Sequence, residues 1–156
     1  MERLDWDDYY LDMLEHIGKR STCDRGKSGC VITQDNRIVS TGYVGAPEGF
    51  PHCDEVGHQM IKITHVDGIE RDHCARTIHA EANAISYAAR KGIKLEGATL
   101  YCKMTPCPYI CAPLIVACGI SKVVCLKGYQ AGGISLSIFK QANIELKFRD
   151  ESIEEY

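Results

Sequence analysis

Two short segments of this chain carry the residue types that bind zinc, and they constrain the fold more than any other feature. His79-Ala80-Glu81 supplies an imidazole and a carboxylate, and Cys107 and Cys111 supply two thiolates further along the chain. One imidazole and two thiolates leave the fourth position of a tetrahedral zinc ion open for water, which is typical of catalytic rather than structural sites. The fold must therefore bring the two segments together at one point.

The local sequence predicts that both segments lie at the starts of helices. Residues two apart point about 200° away from each other on a regular helix, so His79 and Glu81 can share a site only off the N-terminal end of the helix that they open. Proline favours the first helical position, which predicts that a second helix starts at Pro108. The partial positive charge of two helix N-termini would stabilise the thiolates that zinc requires.

Three residues separate the two cysteines. Side chains four apart lie on one side of a helical turn, so Cys107 and Cys111 can both reach a zinc ion if the first turn is modified. Two alternatives remain open. One is a closed structural zinc site with a fourth ligand, which would leave Glu81 without a role, and the other is a capping histidine beside two buried thiols.

Hydrophobic periodicity predicts a helix, a hairpin and then alternating helices and strands. The segment 44–76 is rich in Gly, Pro and His and has no sustained period, so it is predicted to be a functional or metal-stapled loop. The alternation that follows favours an α/β fold, with helices on both faces of a mixed sheet. The predicted helices are 6–19, 78–91 (capped by Thr77), 108–118 and 135–142, and the predicted strands are 29–33, 37–43, 97–102, 121–126 and 144–148.

Composition excludes several classes of function. A chain of 156 residues predicts a single domain over 1–156, and a formal net charge of −3 does not favour a long nucleic-acid contact. No run of eighteen apolar residues exists, so no membrane-spanning helix is expected. The first residues are polar and acidic and lack a secretory signal, so the nine cysteines are interpreted as thiols and metal ligands of a cytoplasmic protein.

Sequence blocks around the metal motif resemble, in order, the deoxycytidylate (dCMP) deaminases of the cytidine-deaminase-like superfamily. The blocks lie at 19–23, 29–32, 41–49, 51–55, 76–81 and 96–101. Together they are more specific than the H-x-E…P-C-x-x-C motif that zinc-dependent nucleobase deaminases share. The resemblance implies a three-layer α/β/α fold with a mixed five-stranded sheet, and a homo-oligomer that is often a hexamer.

The resemblance also implies a reaction, the zinc-dependent hydrolysis of dCMP to dUMP and ammonia, which supplies dUMP for thymidylate synthesis. Zinc would activate the water that attacks C4 of cytosine, and Glu81 would shuttle the protons. The implied zinc ligands are His79, Cys107 and Cys111.

Three residues are expected to contact the substrate. By the resemblance, the Ala80 amide would hold the base carbonyl and the Thr105 carbonyl would accept from the leaving amino group. Tyr129 could stack on the pyrimidine or simply pack in the fold. Val44 stands where the family usually has an asparagine that contacts the sugar. This difference keeps open a deaminase of a nucleoside, a base or dCTP, and the cysteine spacing keeps open a non-catalytic nucleotide sensor.

Members of the family are often activated by dCTP and inhibited by dTTP, so the resemblance implies effector nucleotides, with Mg²⁺ as their counterion. The effector site is expected near the loop that follows the hairpin. Its expected residues are Gly42, Tyr43, Gly45 and Gly49, with Arg20, Arg25 and Lys27 as phosphate partners. Ordinary exposure to solvent is the alternative for the three cations.

Cysteines and histidines also crowd the hairpin and the long loop, which includes His52, His58, His65 and His73. Mixed Cys/His sets form structural zinc sites, and such a site can replace missing core. Some phage members of the family carry a second zinc, and by that resemblance Cys23 and His52 are expected ligands, with His73 as the third. The alternative is a set of surface histidines and buried thiols.

Overall fold

The computed structural model describes residues 1–129 and 132–154, in which helices and strands alternate as the sequence predicts. The helices are α1 (Trp6–Gly18), α2 (Cys53–Val56), α3 (Ala80–Lys91), α4 (Cys111–Ala117) and α5 (Gly133–Gln141). The strands are β1 (Gly29–Gln34), β2 (Arg37–Tyr43), β3 (Met60–Thr64), β4 (Glu70–Cys74), β5 (Thr99–Met104), β6 (Lys122–Tyr129), β7 (Glu145–Phe148) and β8 (Ile153–Glu154). Within the described ranges, no helix is long and apolar enough to cross a membrane.

The main sheet is mixed and has the strand order β2-β1-β5-β6-β7, which confirms the predicted five-stranded sheet. Strand β1 pairs antiparallel with β2 and β5, whereas β5, β6 and β7 are parallel to one another. The short strand β8, which the sequence did not predict, pairs in parallel with the end of β6. The segment with His79 and the segment with Cys107 and Cys111 therefore connect strands of the same sheet.

The predicted hairpin forms with a tight turn between β1 and β2. Asp35 and Asn36 have φ angles of 49° and 55°, in the left-handed region that these two residue types tolerate. At the start of α1, the Asp5 carboxylate accepts a hydrogen bond of 2.8 Å from the Asp8 amide and caps the helix. Local sequence signals are sufficient for both features.

Two cores lie on opposite faces of the sheet and produce the predicted three-layer arrangement. On one face α1 packs against β1, β5 and β6 through Tyr10, Leu11, Leu14, Val31, Tyr101 and Val124. The opposite face is covered by α3, α4 and α5, and its largest buried residues include Ile32, Leu100, Ile115, Ile120, Val123 and Phe139. Helices thus cover both faces of the central strands β1, β5 and β6.

The prediction of an irregular loop over 44–76 is wrong in part. This segment contains α2 and a two-stranded antiparallel sheet, β3 with β4, called here the β3–β4 ribbon (residues 60–74). The alternation of Ile61 and Ile63 with polar neighbours, followed by a turn at Gly68 (φ 78°), is a hairpin signal that the general polarity of the segment obscures.

Asp7 ties α1 to the sheet. Its carboxylate accepts hydrogen bonds from Lys147 (2.7 Å), Lys122 (3.1 Å) and the Tyr101 hydroxyl (3.0 Å), and its side chain is 14% exposed. Burial alone would raise the pKa of this carboxyl, but the hydrogen bonds from Lys147, Lys122 and Tyr101 lower it below its usual value of 3.8. The folded state therefore favours ionised Asp7.

Replacing Asp7 by Asn should lower the free energy of unfolding by about 1–3 kcal/mol at neutral pH, because partly buried lysines lose their counter-charge. Since the folded-state pKa is depressed, this contribution is present above the unfolded pKa and is lost as pH falls through the folded pKa. The difference between the two proteins should therefore shrink below pH 3.8 in urea titrations. Asp12→Asn, which removes a 55% exposed partner of Arg149, is the control and should cost at most about 0.5 kcal/mol. Equal effects of the two variants would contradict the prediction.

Candidate active site

The first cluster consists of His79, Cys107 and Cys111, whose ligand atoms all lie within 4.8 Å of one another. The Cys111 Sγ is 3.4 Å from the His79 Nδ1, and the Cys111 amide donates to the Cys107 Sγ at 3.5 Å. Glu81 lies beside them, and its Oε2 accepts from the Cys111 thiol at 3.6 Å. The structure thus brings together the four residues on which the predicted chemistry depends.

His79 and Glu81 meet the cluster from the N-terminal end of α3. His79 is the N-cap residue, with extended backbone (φ −67°, ψ 155°), and Glu81 lies in the first helical turn. The predicted cap at Thr77 is wrong, because the chain stays extended through His79 and the Thr77 hydroxyl instead donates to the Cys74 carbonyl. As the spacing predicts, His79 and Glu81 meet off the N-terminal end of a helix, but this helix begins two residues later than predicted.

Cys107 and Cys111 flank a turn that precedes α4, which contradicts the predicted helix start at Pro108. Residues 108–110 form this turn, and the Ala112 amide donates to the Cys107 carbonyl at 2.9 Å, a bond that spans five residues. Pro113 explains the late start. It has no amide proton for an interior helical bond, and a helix that begins at Cys111 keeps it in the first turn. The extra residue between the cysteines is therefore accommodated outside the helix.

The protonation states of the cluster are strongly coupled. A hydrogen bond from Cys111, followed by one from the His79 ring, lowers the pKa of Cys107 to about 3 although burial opposes this. The hydrogen bond to Cys107 raises the pKa of His79 to about 9, and the same thiolate together with burial raises the pKa of Cys111 well above its usual value. A bound zinc ion would displace the protons of His79 and Cys111, and the resulting set of two thiolates and one imidazole fits this metal.

Glu81 is a buried carboxyl group and is not needed as a ligand. Burial raises its pKa above the usual value, while the nearby His79 charge partly opposes this effect. A carboxyl group whose pKa is moved towards neutrality can both accept and donate a proton near physiological pH. Its environment therefore suits acid–base chemistry at the side of the first cluster.

A cavity of about 560 Å³ opens onto the first cluster and Glu81. Its walls include the three residues predicted to contact substrate, Ala80, Thr105 and Tyr129, as well as Val44. Further wall residues come from the β3–β4 ribbon, namely Ile63, His65, Arg71, Asp72, His73 and Cys74. The cavity thus extends from the first cluster to a wall that contains two histidines and an arginine.

The residues predicted to bind an effector are distributed differently. Arg25 lines the same cavity as Glu81 and donates to the Asp72 carbonyl at 3.0 Å, so its position favours the substrate site rather than a separate one. Gly49, Arg20 and Lys27 are exposed. The other predicted residues have contacts within the fold: Gly42 lies against α3, the Tyr43 carbonyl accepts from Asn83, and Gly45 pairs with Ile78.

A second cluster consists of Cys23, Cys53, His58 and Cys74, with ligand atoms within 4.8 Å of one another. It includes Cys23 as predicted. The prediction of His52 and His73 as ligands is wrong, because neither belongs to the cluster. His52 is the N-cap residue of α2, and its side chain, which is 43% exposed, contacts Asp54 at 4.0 Å. His73 and Cys74 are neighbours on β4, so their side chains point to opposite faces of the strand. His73 contacts His65 at 2.6 Å, whereas the Cys74 Sγ lies 3.6 Å from the Cys53 Sγ.

The second cluster has the features of a metal site. The Cys23 Sγ is 3.6 Å from the His58 Nδ1, and the other ring nitrogen of His58 is 3.0 Å from the Asp24 carboxylate, an orienting contact typical of metal-bound histidines. Burial would raise the pKa of Cys74, but the backbone amides of Arg76 and Gln59 and the His58 ring lower it to about 6. A thiolate is therefore favoured at a position where three further ligands converge.

Sequence reasoning missed the side chains that the β3–β4 ribbon contributes to the cavity. His65 and Arg71 lie beside the substrate-contact residues because the ribbon folds back over the first cluster. The hairpin signal in 60–74 could have predicted which residues share a face. The distance between the ribbon and α3 could not be predicted, since it depends on the second cluster.

The site belongs to the class of zinc hydrolases that remove an amino group from a nucleobase, in which a glutamate beside the ligands handles the protons. Sequence comparison gives the same class. The chain is a member of the cytidine and deoxycytidylate deaminase family, whose zinc-binding region matches residues 4–127.

Individual relatives cover most of the chain. ComE operon protein 2 of Bacillus subtilis is 35% identical over 147 residues, which cover 94% of this chain and 72% of that protein. Deoxycytidylate deaminase of Mycobacterium phage D29 is 41% identical over 128 residues, which cover 80% of this chain and 96% of that protein. The crystal structure of dCMP deaminase from cyanophage S-TIM5, in complex with dCMP and dUMP, superposes with a TM-score of 0.73 at 24% identity, covering 95% and 99% of the two chains. This last likeness supports the fold.

Gly42→Ala should destabilise the protein by more than about 2 kcal/mol, because a Cβ at this buried position would overlap the backbone of Ala80 and Ala84 in the first turns of α3. The displaced helix should also weaken zinc binding at His79, and thermal unfolding together with metal analysis would measure both effects. Gly133→Ala, where an added Cβ meets no atom within 4 Å, is the matched control and should be nearly neutral. A stable Gly42→Ala protein with full zinc content would refute the prediction.

Proposed function

We propose that this protein catalyses the hydrolytic deamination of dCMP to dUMP and ammonia, with zinc held by His79, Cys107 and Cys111. The observation that carries the proposal is a buried carboxyl, Glu81, beside a three-ligand cluster at the base of a cavity. Zinc in such a site supplies a Lewis acid that lowers the pKa of a water molecule. Deaminases of dCMP among the relatives support the choice of substrate.

Glu81 acts as the proton shuttle in this proposal. Its carboxylate accepts a proton from water and transfers it to N3 of the cytosine ring, then takes the second proton from the hydroxyl group now on C4 and passes it to the departing amine. Its burial supports the role, because burial raises the pKa of the carboxyl group and makes the carboxylate a stronger base towards water.

The cytosine ring is positioned by backbone groups and one aromatic ring. The Ala80 amide, at the start of α3, binds the base carbonyl, and the Thr105 carbonyl accepts from the amino group that leaves. Tyr129 lines the same cavity and offers its ring to the pyrimidine. Val44 gives the sugar an apolar contact in place of a hydrogen bond, so the base and the phosphate carry more of the recognition.

An anionic substrate is supported by the charges on the cavity wall. Arg25 and Arg71 both line the cavity, and Arg71 is paired with Asp67. An uncharged nucleoside would have no need of the cation at Arg25. A screen for ammonia release from dCMP, dCTP, cytidine and deoxycytidine tests the assignment. Turnover of dCMP with the highest kcat/KM is expected, and a different preferred compound from this set would replace the proposed substrate with that compound.

Replacing Glu81 by Gln should lower kcat by about 10²- to 10⁴-fold, since the amide cannot move protons, while zinc content and fold stay unchanged. Activity assays, metal analysis per chain and circular dichroism measure these three properties. The exposed Glu15→Gln variant, in the last turn of α1, is the control and should retain full activity. If Glu81→Gln loses zinc together with activity, Glu81 is a ligand and its proposed role is wrong.

We also propose a structural zinc ion at the second cluster, bound by Cys23, Cys53, His58 and Cys74. Four protein ligands close the tetrahedron, so this metal stabilises the fold and activates no water. The low pKa of Cys74 and the Asp24–His58 contact support the assignment.

His58→Ala should reduce the metal content by one zinc ion per chain and lower the thermal midpoint, because binding energy at such a site is also folding energy. His52→Ala is the matched control, because it removes the neighbouring histidine that the sequence favoured and should leave the zinc content unchanged. Loss of zinc in the His52 variant alone would reverse the assignment.

Regulation and assembly belong to the same proposal and rest on the resemblance. They comprise activation by dCTP and inhibition by dTTP, both with Mg²⁺, and a homo-hexamer that supplies dUMP for thymidylate synthesis. The exposed loop around Gly49, with Arg20 and Lys27 at the protein surface, is compatible with an effector site outside the cavity.

A further inference from the structure

The segment from Thr105 to Cys107 leads from β5 into the turn that precedes α4. Thr105 and Cys107 line the cavity, and Pro106 between them is completely buried. In the proposed function, the Thr105 carbonyl accepts a hydrogen bond from the amino group that leaves, and Cys107 is a zinc ligand. The direction in which this short segment runs therefore affects two contacts of the same reaction.

Pro106 leaves the segment with little conformational freedom. Its ring fixes φ at about −65°, so the orientation of the Thr105 carbonyl relative to Cys107 depends mainly on one dihedral angle, ψ of Pro106. The same angle sets the direction of the Pro106 carbonyl. A group that binds the Pro106 carbonyl therefore also fixes the Thr105 carbonyl relative to Cys107.

Ser135 provides such a group from a different helix. Its hydroxyl donates to the Pro106 carbonyl at 2.6 Å, and the residue is 0% exposed. Ser135 lies in the first turn of α5, and Phe139, one turn further along the same face, packs in the core. The core therefore holds the hydroxyl in place against the segment that enters the cavity.

A second contact supports the segment from the same helix end. Gly132, the N-cap residue of α5, donates to the Tyr129 carbonyl at 2.9 Å and lies against the side chain of Thr105. A Cβ at Gly132 would lie 2.9 Å from the Tyr129 carbonyl oxygen and 3.1 Å from the Thr105 Cγ2, so the position has no room for a side chain. The start of α5 thus contacts both residues of the Thr105–Pro106 peptide.

We infer that Ser135 is a positioning residue, which holds the Thr105 carbonyl towards the amino group of cytosine and so favours binding of the amino-bearing substrate over the oxo-bearing product. This inference rests on the proposed function, which assigns that carbonyl to the leaving amino group. A carbonyl accepts from an amino group but cannot bond to the oxygen that replaces it in dUMP, because both atoms are acceptors. Loss of the Ser135 hydroxyl should therefore weaken the substrate and spare the product.

A purely structural role is the competing explanation, because the Ser135 hydroxyl also satisfies a buried carbonyl group. Loss of a merely structural bond would loosen the cavity for substrate and product alike. Loss of positioning would weaken only the ligand that carries an amino group. Two ligands that differ at C4 of the pyrimidine ring therefore separate the two explanations.

The test measures the binding of labelled dCMP and labelled dUMP by rapid filtration in the Glu81→Gln background, in which turnover is slow. Ser135→Ala should weaken dCMP by about 3- to 10-fold, the value of a neutral hydrogen bond, and should change dUMP by less than about 2-fold. Ser137→Ala is the matched control. It removes an exposed hydroxyl from the same helix, where the group accepts from Gln141 at 3.1 Å, and should leave both ligands unaffected.

Equal weakening of the two ligands, or unchanged binding of dCMP, would overturn the inference. Thermal unfolding and zinc content of each variant identify any failure to fold. In that case Gly132→Ala decides, because its added methyl group displaces Thr105 while the serine hydroxyl remains, and it should give the same selective loss of dCMP. Gly133→Ala, where an added Cβ meets no atom within 4 Å, is its control.

Failure of the proposed function is distinguished by the wild-type protein. If it deaminates none of the cytosine compounds, the proposed function and the inference fail together. If it deaminates dCMP but the variants bind dCMP and dUMP with equal losses, the inference alone fails.

Discussion

The close approach of β2 to the first turns of α3 is the constraint on which the site depends. Gly42 has no side chain, so the strand can contact the backbone of Ala80 and Ala84, and the buried Ser40 hydroxyl donates to the Ala84 carbonyl at 2.7 Å. Because His79 caps this helix, any shift of α3 relative to the sheet would move a metal ligand and Glu81 together. The geometry of the first cluster is therefore a consequence of packing in the core.

The β3–β4 ribbon depends on a different source of rigidity. A two-stranded sheet is marginally stable by itself, and in the described part of the chain β3 and β4 pair only with each other. The second cluster holds one end through Cys74, and the contacts of His65 with Tyr109 and Tyr129 hold the other. The wall of the cavity thus owes its position to the metal-binding residues and to a few aromatic contacts, with little contribution from apolar burial.

Sequence predicts best the features that depend on a few neighbouring residues. The Asp35–Asn36 turn and the convergence at the end of α3 follow from backbone preferences and from helical geometry. Pro108 alone predicts the wrong start for α4, because Pro113 decides where the helix can begin. To predict the ligands of the second cluster, one must know which of two adjacent residues, His73 or Cys74, points towards Cys23 and Cys53. That choice is set by tertiary pairing of the ribbon, which short-range patterns do not encode.

The two parts of the cavity make separable contributions to function. The first cluster and Glu81 lie on helices anchored in the main core, so the chemical step depends on the stability of the whole fold. Arg71 and His65 lie on the ribbon, which the second cluster attaches to the chain five residues before His79. A metal ion at the second cluster would therefore act mainly on the position of the ribbon. Its loss would release this wall of the cavity, while the residues of the first cluster stay at the start of α3 and on the segment that leads into α4.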